Sequence, residues 1–393
     1  MNKIRIAVVG LGRRSTWAVE SLVADPRYQV VALVDTIPAH SNVIARQFKL
    51  TDVPQFTRIE DCLESVDLHA VAIFTSDGHH AEVVIPALGA GKYVFVEKPL
   101  DITHEKLDAI IAADAKAGGR TFVGFNLRYA PVYEKIHELI QSGAIGDVLT
   151  IQADEFYDGG RTYFRRWNRL RSVGGGLWIT KSSHDFDLLY WMAGAAPKSI
   201  FATASLSYYK PRPGAAMYCR DCQFNNPRDC QDRWIAEDQV PSILELVRAT
   251  EQAIGQKPDL CLFNSDKDTF DNGIATVDFV NGVRATYTVN VVAGFTNRRM
   301  RVSGTRGTLD GDLENATLTL TGRDPTRIEQ FNLKAEGGHG GADGFVLSNF
   351  ANFVAGQPAK IVPPKEAAVA VRMGLAATQS SDTGQVVSMA ERV

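Results

Sequence analysis

The chain has 393 residues, 45% of them hydrophobic and 22% charged, with a formal net charge of −3. Such length and apolar content exclude a disordered chain and predict two domains around large cores. Charges of both signs mix along the whole length, which argues against nucleic acid or a membrane surface as partner, and no apolar run reaches the ~18 residues of a membrane helix. A cytoplasmic protein with a small-molecule ligand is the expectation.

The N-terminal "MNKIRIAVVGLG" enters a buried-strand pattern at once and no small-residue cleavage site follows, so it reads as structure rather than a signal. Residues 4–9, IRIAVV, lead into "GLGRRS" and then "TWAVESLVAD", where Trp17, Val19, Leu22 and Val23 recur at helical spacing. Strand, tight turn and helix in this order make a dinucleotide-binding unit. Gly10 and Gly12 permit the turn and let the backbone approach a pyrophosphate at the helix N-terminus, while Ser15 replaces the third glycine with another small residue. The next strand, "YQVVALVD", ends in Asp35, where an acid meets the ribose hydroxyls of NAD and repels the 2′-phosphate of NADP. Arg13 and Arg14 keep NADP as an alternative, because either could pair with that phosphate.

Helix and strand patterns alternate onward through "AHSNVIARQF", "AVAIFTS", "HAEVVIPALGAG", "YVFVE", "THEKLDAIIAADAKAG" and "TFVGFN". Alternation of this kind predicts a parallel Rossmann-type sheet over residues 1–126, with ligands bound beyond the carboxyl ends of its strands. Those ends carry Thr75, Ser76, Glu97, Lys98 and Asn126 in addition to Gly10 and Asp35.

Three stretches, "SDGHHAEVVIPAL", "AGKYVFVEKPL" and "VGFNLRYAPVYEKIHELIQSGAIGDV", resemble the Gfo/Idh/MocA oxidoreductases along nearly the whole chain. The resemblance implies that Lys98 lies beside the nicotinamide and the reacting alcohol, and that Glu97 and His80 border the cofactor. Pro99 fixes the backbone just after Lys98 and holds the amine at the sheet edge.

Between 157 and 171, "YDGGRTYFRRWNRLR" gathers aromatic residues and five arginines, side chains that stack on sugar rings and bind hydroxyls or anions. Tyr163, Arg166 and Trp167, together with Arg128, are the substrate-binding candidates; a loop packed on its own aromatic residues, or arginines paired with a neighbouring subunit, are the alternatives. The following "GGGLWITKSSHDFDLLYWMAG" reads as one buried helix on which Lys181, His184 and Asp187 are successive neighbours. It resembles a lysine-plus-histidine subgroup of the family, since Thr180 stands where the inositol dehydrogenases carry an aspartate. On this reading His184 accepts the hydroxyl proton, Lys98 and Lys181 hold the substrate oxygen, and Asp187 orients the imidazole or the helix.

Cys219, Cys222 and Cys230 form C-x2-C-x7-C, and Cys261 follows beyond a helix at 240–255; four thiolates could close a structural zinc site, with buried free cysteines as the alternative. Strand patterns and an Asn-Gly turn predict that residues 127–393 form an α+β domain with an open, largely antiparallel sheet, suited to homo-oligomerisation as a dimer or tetramer. "GGHGGADGF" presents His339 and Asp343 in a glycine loop, with Asp343 a candidate cap for the next helix, and residues 366–379 form a closing helix that could return to the first domain.

The resemblance thus implies an NAD(P)-dependent dehydrogenase acting on a secondary hydroxyl of a sugar, glycoside or polyol. Two rivals share the fold: an NAD-dependent glycosidase working through transient oxidation, and a non-catalytic sensor of dinucleotide and sugar.

Overall fold

The computed structural model describes residues 3–324, 326–335 and 337–390. Six parallel strands form the first sheet: β1 Ile4–Val9, β2 Tyr28–Val34, β3 Gln55–Phe56, β4 Ala70–Ile73, β5 Tyr93–Glu97 and β6 Thr121–Gly124. Their order is β3-β2-β1-β4-β5-β6. Each long strand is a run of apolar residues because helices cover both faces, so there is no polar side to alternate with. The helix Arg13–Ala24 follows β1 and buries Ser15, Ala18, Val19 and Leu22; Val23 lies on its exposed side, contrary to the sequence reading. The chain reverses direction across the sheet between β1 and β4, and it is there that such sheets bind ligands.

The second sheet has nine strands: β7 Val148–Asp158, β8 Pro197–Ser205, β9 Asn272–Phe279, β10 Arg284–Asn290, β11 Val292–Gly304, β12 Gly307–Asp312, β13 Thr317–Gly322, β14 Ile328–Asn332 and β15 Val387–Ser388. They run in the order β14-β13-β12-β11-β7-β10-β9-β8-β15. Every pair is antiparallel except β7 with β10. The expected α/β chain with an open, largely antiparallel second sheet is what the structure holds. The Asn281-Gly282 turn joins β9 to β10, with Gly282 at φ +88°.

Two C-terminal helices leave the second sheet and pack on the first. The helix Asp343–Val354 sets Phe350 against Phe95 and Phe122, with ring centroids 5.8 and 6.0 Å apart, and the Tyr28 hydroxyl donates to the Leu347 carbonyl at 2.6 Å. The helix Pro364–Thr383, longer at both ends than the sequence pattern suggested, packs against both the second sheet and the first-domain helix His104–Lys116, where Arg372 donates to Asp108 at 2.5 Å. Among the described residues no helix is long and apolar enough to cross a membrane.

Candidate active site

Gly10 turns the chain out of β1 at φ +82°, and a Cβ there would stand 2.5 Å from the Thr75 nitrogen at the end of β4. Only glycine fits where the two strand ends approach. Gly12 caps the following helix with nothing within 4 Å of the position a Cβ would take, and the Ser15 hydroxyl donates back to its carbonyl at 2.7 Å. Open space in front of free helix N–H groups suits a pyrophosphate. At the end of β2 the Asp35 carboxylate accepts from the Leu11 and Ile37 N–H groups at 2.6 and 2.8 Å. The Oγ1 of Thr75 and the Oδ1 of Asn126 are buried without partners, acceptors or donors that a dinucleotide lying along the strand ends could satisfy.

Arg14 does not serve Asp35's end of this cleft. It donates to Glu97 at 2.7 Å and to Asp343 at 2.9 Å, stacked over Trp17. Asp343 also accepts from Asn126 at 2.7 Å and contacts His339 Nδ1 at 2.9 Å. Burial would raise this carboxyl, but the His339 and Arg14 bonds outweigh it and hold the group well below the usual carboxylate range. The expected capping role of Asp343 is therefore corrected: it is the first residue of its helix and makes no cap bond, because its oxygens are engaged by Arg14, Asn126 and His339.

Lys98 follows β5, joined to Pro99 by a cis peptide bond. Its Nζ donates to the Thr180 carbonyl at 2.7 Å. Burial, aided by the nearby charges of Lys181 and Arg298 but opposed by Asp77 and Glu97, lowers the amine to about 8. Asp77 is buried next to it and is raised by burial to about 7. His80 lies beneath, with its ring nitrogens 2.8 Å from the Pro99 carbonyl and 3.3 Å from that of Thr75. Ser76 contacts His79 Nδ1 at 2.8 Å.

The stretch read as one helix is two. Leu177–Thr180 is a single turn, Lys181 and Ser182 break it, and a second helix runs Ser183–Ala193. The break releases the Thr180 carbonyl to accept from Lys98, which a continuous helix would have occupied. Lys181 is buried with its amine 2.6 Å from Glu155 and 4.0 Å above the Tyr157 ring. Glu155 in turn pairs with Arg298, whose Nε also donates to Asp185 at 3.2 Å, and the Tyr287 hydroxyl donates to Asp185 at 2.9 Å. Five polar side chains thus fill the space under the site.

His184 is 3% exposed and its Nδ1 has no partner. Its ring meets Phe125 edge-on at 6.1 Å and lies 5.8 Å from the His339 ring. Burial, then the charges of Lys98, Arg298, His339 and Lys181, hold this imidazole well below its ordinary value, so it is neutral at neutral pH. Asp187 does not orient it. That carboxylate accepts from Arg128 Nε at 2.7 Å and NH2 at 2.6 Å, and Arg128 reaches Glu366 as well. Arg128, a substrate candidate from sequence, has its guanidinium committed to these two acids.

Of the five arginines in 157–171, four are held within the chain. Arg161 reaches Gln231, Arg165 the Leu260 and Asp232 carbonyls, Arg169 Asp266, and Arg171 Asp382. Arg166 has no side-chain partner among the described residues, and its charge is felt beside Arg13, Tyr163, Tyr157 and Asp77. Tyr163 is buried edge-on to Tyr157, and Trp167 is half-buried against Gly174.

Sequence reasoning missed Asp77, Glu155, Asp185 and Arg298. A signal existed for Glu155 and Arg298: each occupies an inward position of a strand that alternates, among Ile151 and Ala153 on β7 and Met300 and Val302 on β11. A charge on the buried side of such a strand needs a partner there.

Family descriptions match both parts of the chain. "Oxidoreductase family, NAD-binding Rossmann fold" covers residues 4–125, and "Oxidoreductase family, C-terminal alpha/beta domain" covers residues 137–389. The chain belongs to the Gfo/Idh/MocA oxidoreductase family. A Bacillus subtilis protein named as an oxidoreductase, YteT, is 29% identical over 82% of this chain and 82% of its own length. The inositol 2-dehydrogenase of Rhizobium meliloti is 28% identical over 52% of this chain, which spans 59% of that enzyme. In fold, a levoglucosan dehydrogenase in complex with NADH and levoglucosan superposes with a TM-score of 0.75 at 17% identity, covering 99% of this chain and 100% of that one. The glycine turn, Asp35 and the unpartnered atoms of Thr75 and Asn126 are thus the parts of this Gfo/Idh/MocA chain that fit an NAD.

Proposed function

We propose that the protein is an NAD-dependent dehydrogenase acting on a secondary hydroxyl of a sugar, glycoside or polyol. The observation that carries this reading is the Lys98 amine bonded to the Thr180 carbonyl at the helix break, four residues before a buried His184 whose Nδ1 has no partner. Inositol 2-dehydrogenase among the relatives and levoglucosan dehydrogenase among similar folds support the substrate class. NAD is favoured over NADP because Asp35 closes the end of β2 and Arg14, one of the two candidate phosphate partners, is spent on Glu97 and Asp343.

A bound NAD would supply the hydride acceptor. The chain's own part is to seat the hydroxyl and take its proton. An amine near 8 is partly neutral close to neutral pH, whereas an imidazole held down by burial and by the charges of Arg298 and Lys181 resists a proton, so the proton acceptor moves from His184, as read in the sequence, to Lys98. His184 stays neutral and uses its free Nδ1 to orient the reacting hydroxyl. Lys181, whose amine burial lowers and Glu155 opposes, is held beside the developing oxyanion by that carboxylate. Arg166 and Trp167 are the groups left to grip the rest of the substrate.

Following NADH formation over a panel of monosaccharides, inositols and glycosides, with NAD and with NADP, tests the reading. Turnover of at least one class with NAD is expected, reduced roughly 100-fold or more in Lys98→Met. Aglycone release without NADH formation, or wild-type turnover in both Lys98→Met and His184→Ala, would overturn it.

A further inference from the structure

Four of the chain's five cysteines come together at a place unconnected with the proposed reaction. Cys219, Cys222, Cys230 and Cys261 line one small cavity with Arg212, Arg233 and Phe263, and none is in a disulfide. The fifth, Cys62, is buried elsewhere in the first domain.

The backbone delivers these side chains from three directions. Cys219 and Cys222 flank a single 3-10 turn in which the Cys222 N–H donates to the Cys219 carbonyl at 3.1 Å, so both sulfurs leave the same turn. Cys261 arrives through a short antiparallel bridge, Tyr218 to Leu260, in which the Cys219 and Cys261 N–H groups donate to the Asp259 and Met217 carbonyls at 2.8 Å each. Cys230 closes the ring from a loop whose own N–H donates to Asn226 at 3.1 Å. Backbone N–H groups also point at sulfur: that of Trp234 lies 3.4 Å from Cys219 Sγ, and that of Asp232 faces Cys230. Among the described residues no three side chains of metal-ligating type stand ready as a closed shell. Drawing the sulfurs together asks for χ1 changes, each of which moves a cysteine sulfur by up to ~3 Å without moving the backbone.

We infer that these four cysteines bind a structural zinc ion that staples the segment from 206 to 271. Zinc takes four thiolates tetrahedrally, the resulting double negative charge is faced by Arg212 and Arg233, and a long segment with one helix and little core of its own needs such a tie. What the staple holds is specific. Arg165, in the loop that also bears Arg166 and Trp167, donates to the carbonyls of Leu260 and Asp232, each within two residues of a cysteine, at 2.9 and 2.8 Å. From the same segment the helix Pro241–Ile254 docks on the first-domain helix Pro38–Gln47, where His40 joins Asp35 (3.3 Å) to Thr250 (2.7 Å).

The test is elemental analysis and native mass of the full chain, purified without chelator or a metal column. One zinc per chain is expected, retained in Cys62→Ser and lost in Cys222→Ser and Cys230→Ser, with a lower Tm and new protease cleavage between 206 and 271 on loss. Metal-free protein with four titratable thiols, a disulfide among the four, or an iron chromophore would each overturn the assignment. So would zinc that a weak chelator strips without changing Tm or cleavage. Because the stoichiometry and the chelator response are both read on the wild-type chain, a variant that fails to fold does not rescue the assignment.

Discussion

Lys98 Nζ donates to the Thr180 carbonyl at 2.7 Å, a bond that ties the end of β5 to the point where the second-domain helix breaks. It holds the amine in a site where burial brings it to about 8. For alcohol oxidation the neutral amine is the active form, so kcat/KM is expected to rise with one proton released as pH passes about 8. A limb at or below the ordinary histidine value would return the proton to His184; pH profiles of wild type and His184→Ala separate the two.

Asp77 is raised to about 7 by burial. A carboxyl raised above its unfolded value near 3.8 adds stability that is full below that value and is lost as pH climbs through 7. Asp77→Asn is therefore expected to gain stability over wild type at pH 8 relative to pH 5, by up to a few kcal/mol. Removing a negative neighbour also lowers Lys98, so the activity limb moves to lower pH. Urea melts at the two pH values and a pH–rate profile check both shifts.

Glu155 pairs with both Lys181 and Arg298 and, with Asp185, balances their charges, all four buried. Replacing it with glutamine leaves two cations against one remaining acid, Asp185, and is expected to cost roughly 3–5 kcal/mol in urea unfolding. Restoring aspartate, which cannot span the same distance, should recover only part.

Asp343 gathers Arg14, Asn126 and His339 from three separate stretches of chain. Asp343→Ala is expected to destabilise by about 1–3 kcal/mol and to raise the KM for NAD more than that for substrate, because the freed Arg14 sits beside the glycine turn. Initial rates with each ligand varied in turn, together with thermal melts, distinguish this from a fold defect alone.

The first sheet was legible because its strands are uninterrupted apolar runs punctuated by glycine and acid, a pattern set by local chemistry. Lys98 was marked out by the family resemblance of its Glu-Lys-Pro turn, and His184 because it stands in an otherwise apolar segment. What the sequence hid depends on contacts between distant residues. Asp187 looked like a partner for His184 at helical spacing, but Arg128, fifty-nine residues earlier, competes for it. Five arginines looked alike until four found acceptors in the 206–271 segment and the C-terminal helix. The strands Thr317–Gly322 and Ile328–Asn332, whose polar threonines and glutamine mask their alternation, went unread.

The sequence divides at residue 126, yet Phe95 and Phe122 rest on Phe350, and the Val123 N–H donates to Val362 at 3.1 Å. Part of the first lobe's interior is made only once residues 350–362 have been synthesised. A fragment ending at 126 would display an aromatic face to water, so the nucleotide lobe is completed by a helix that lies more than two hundred residues further along the chain.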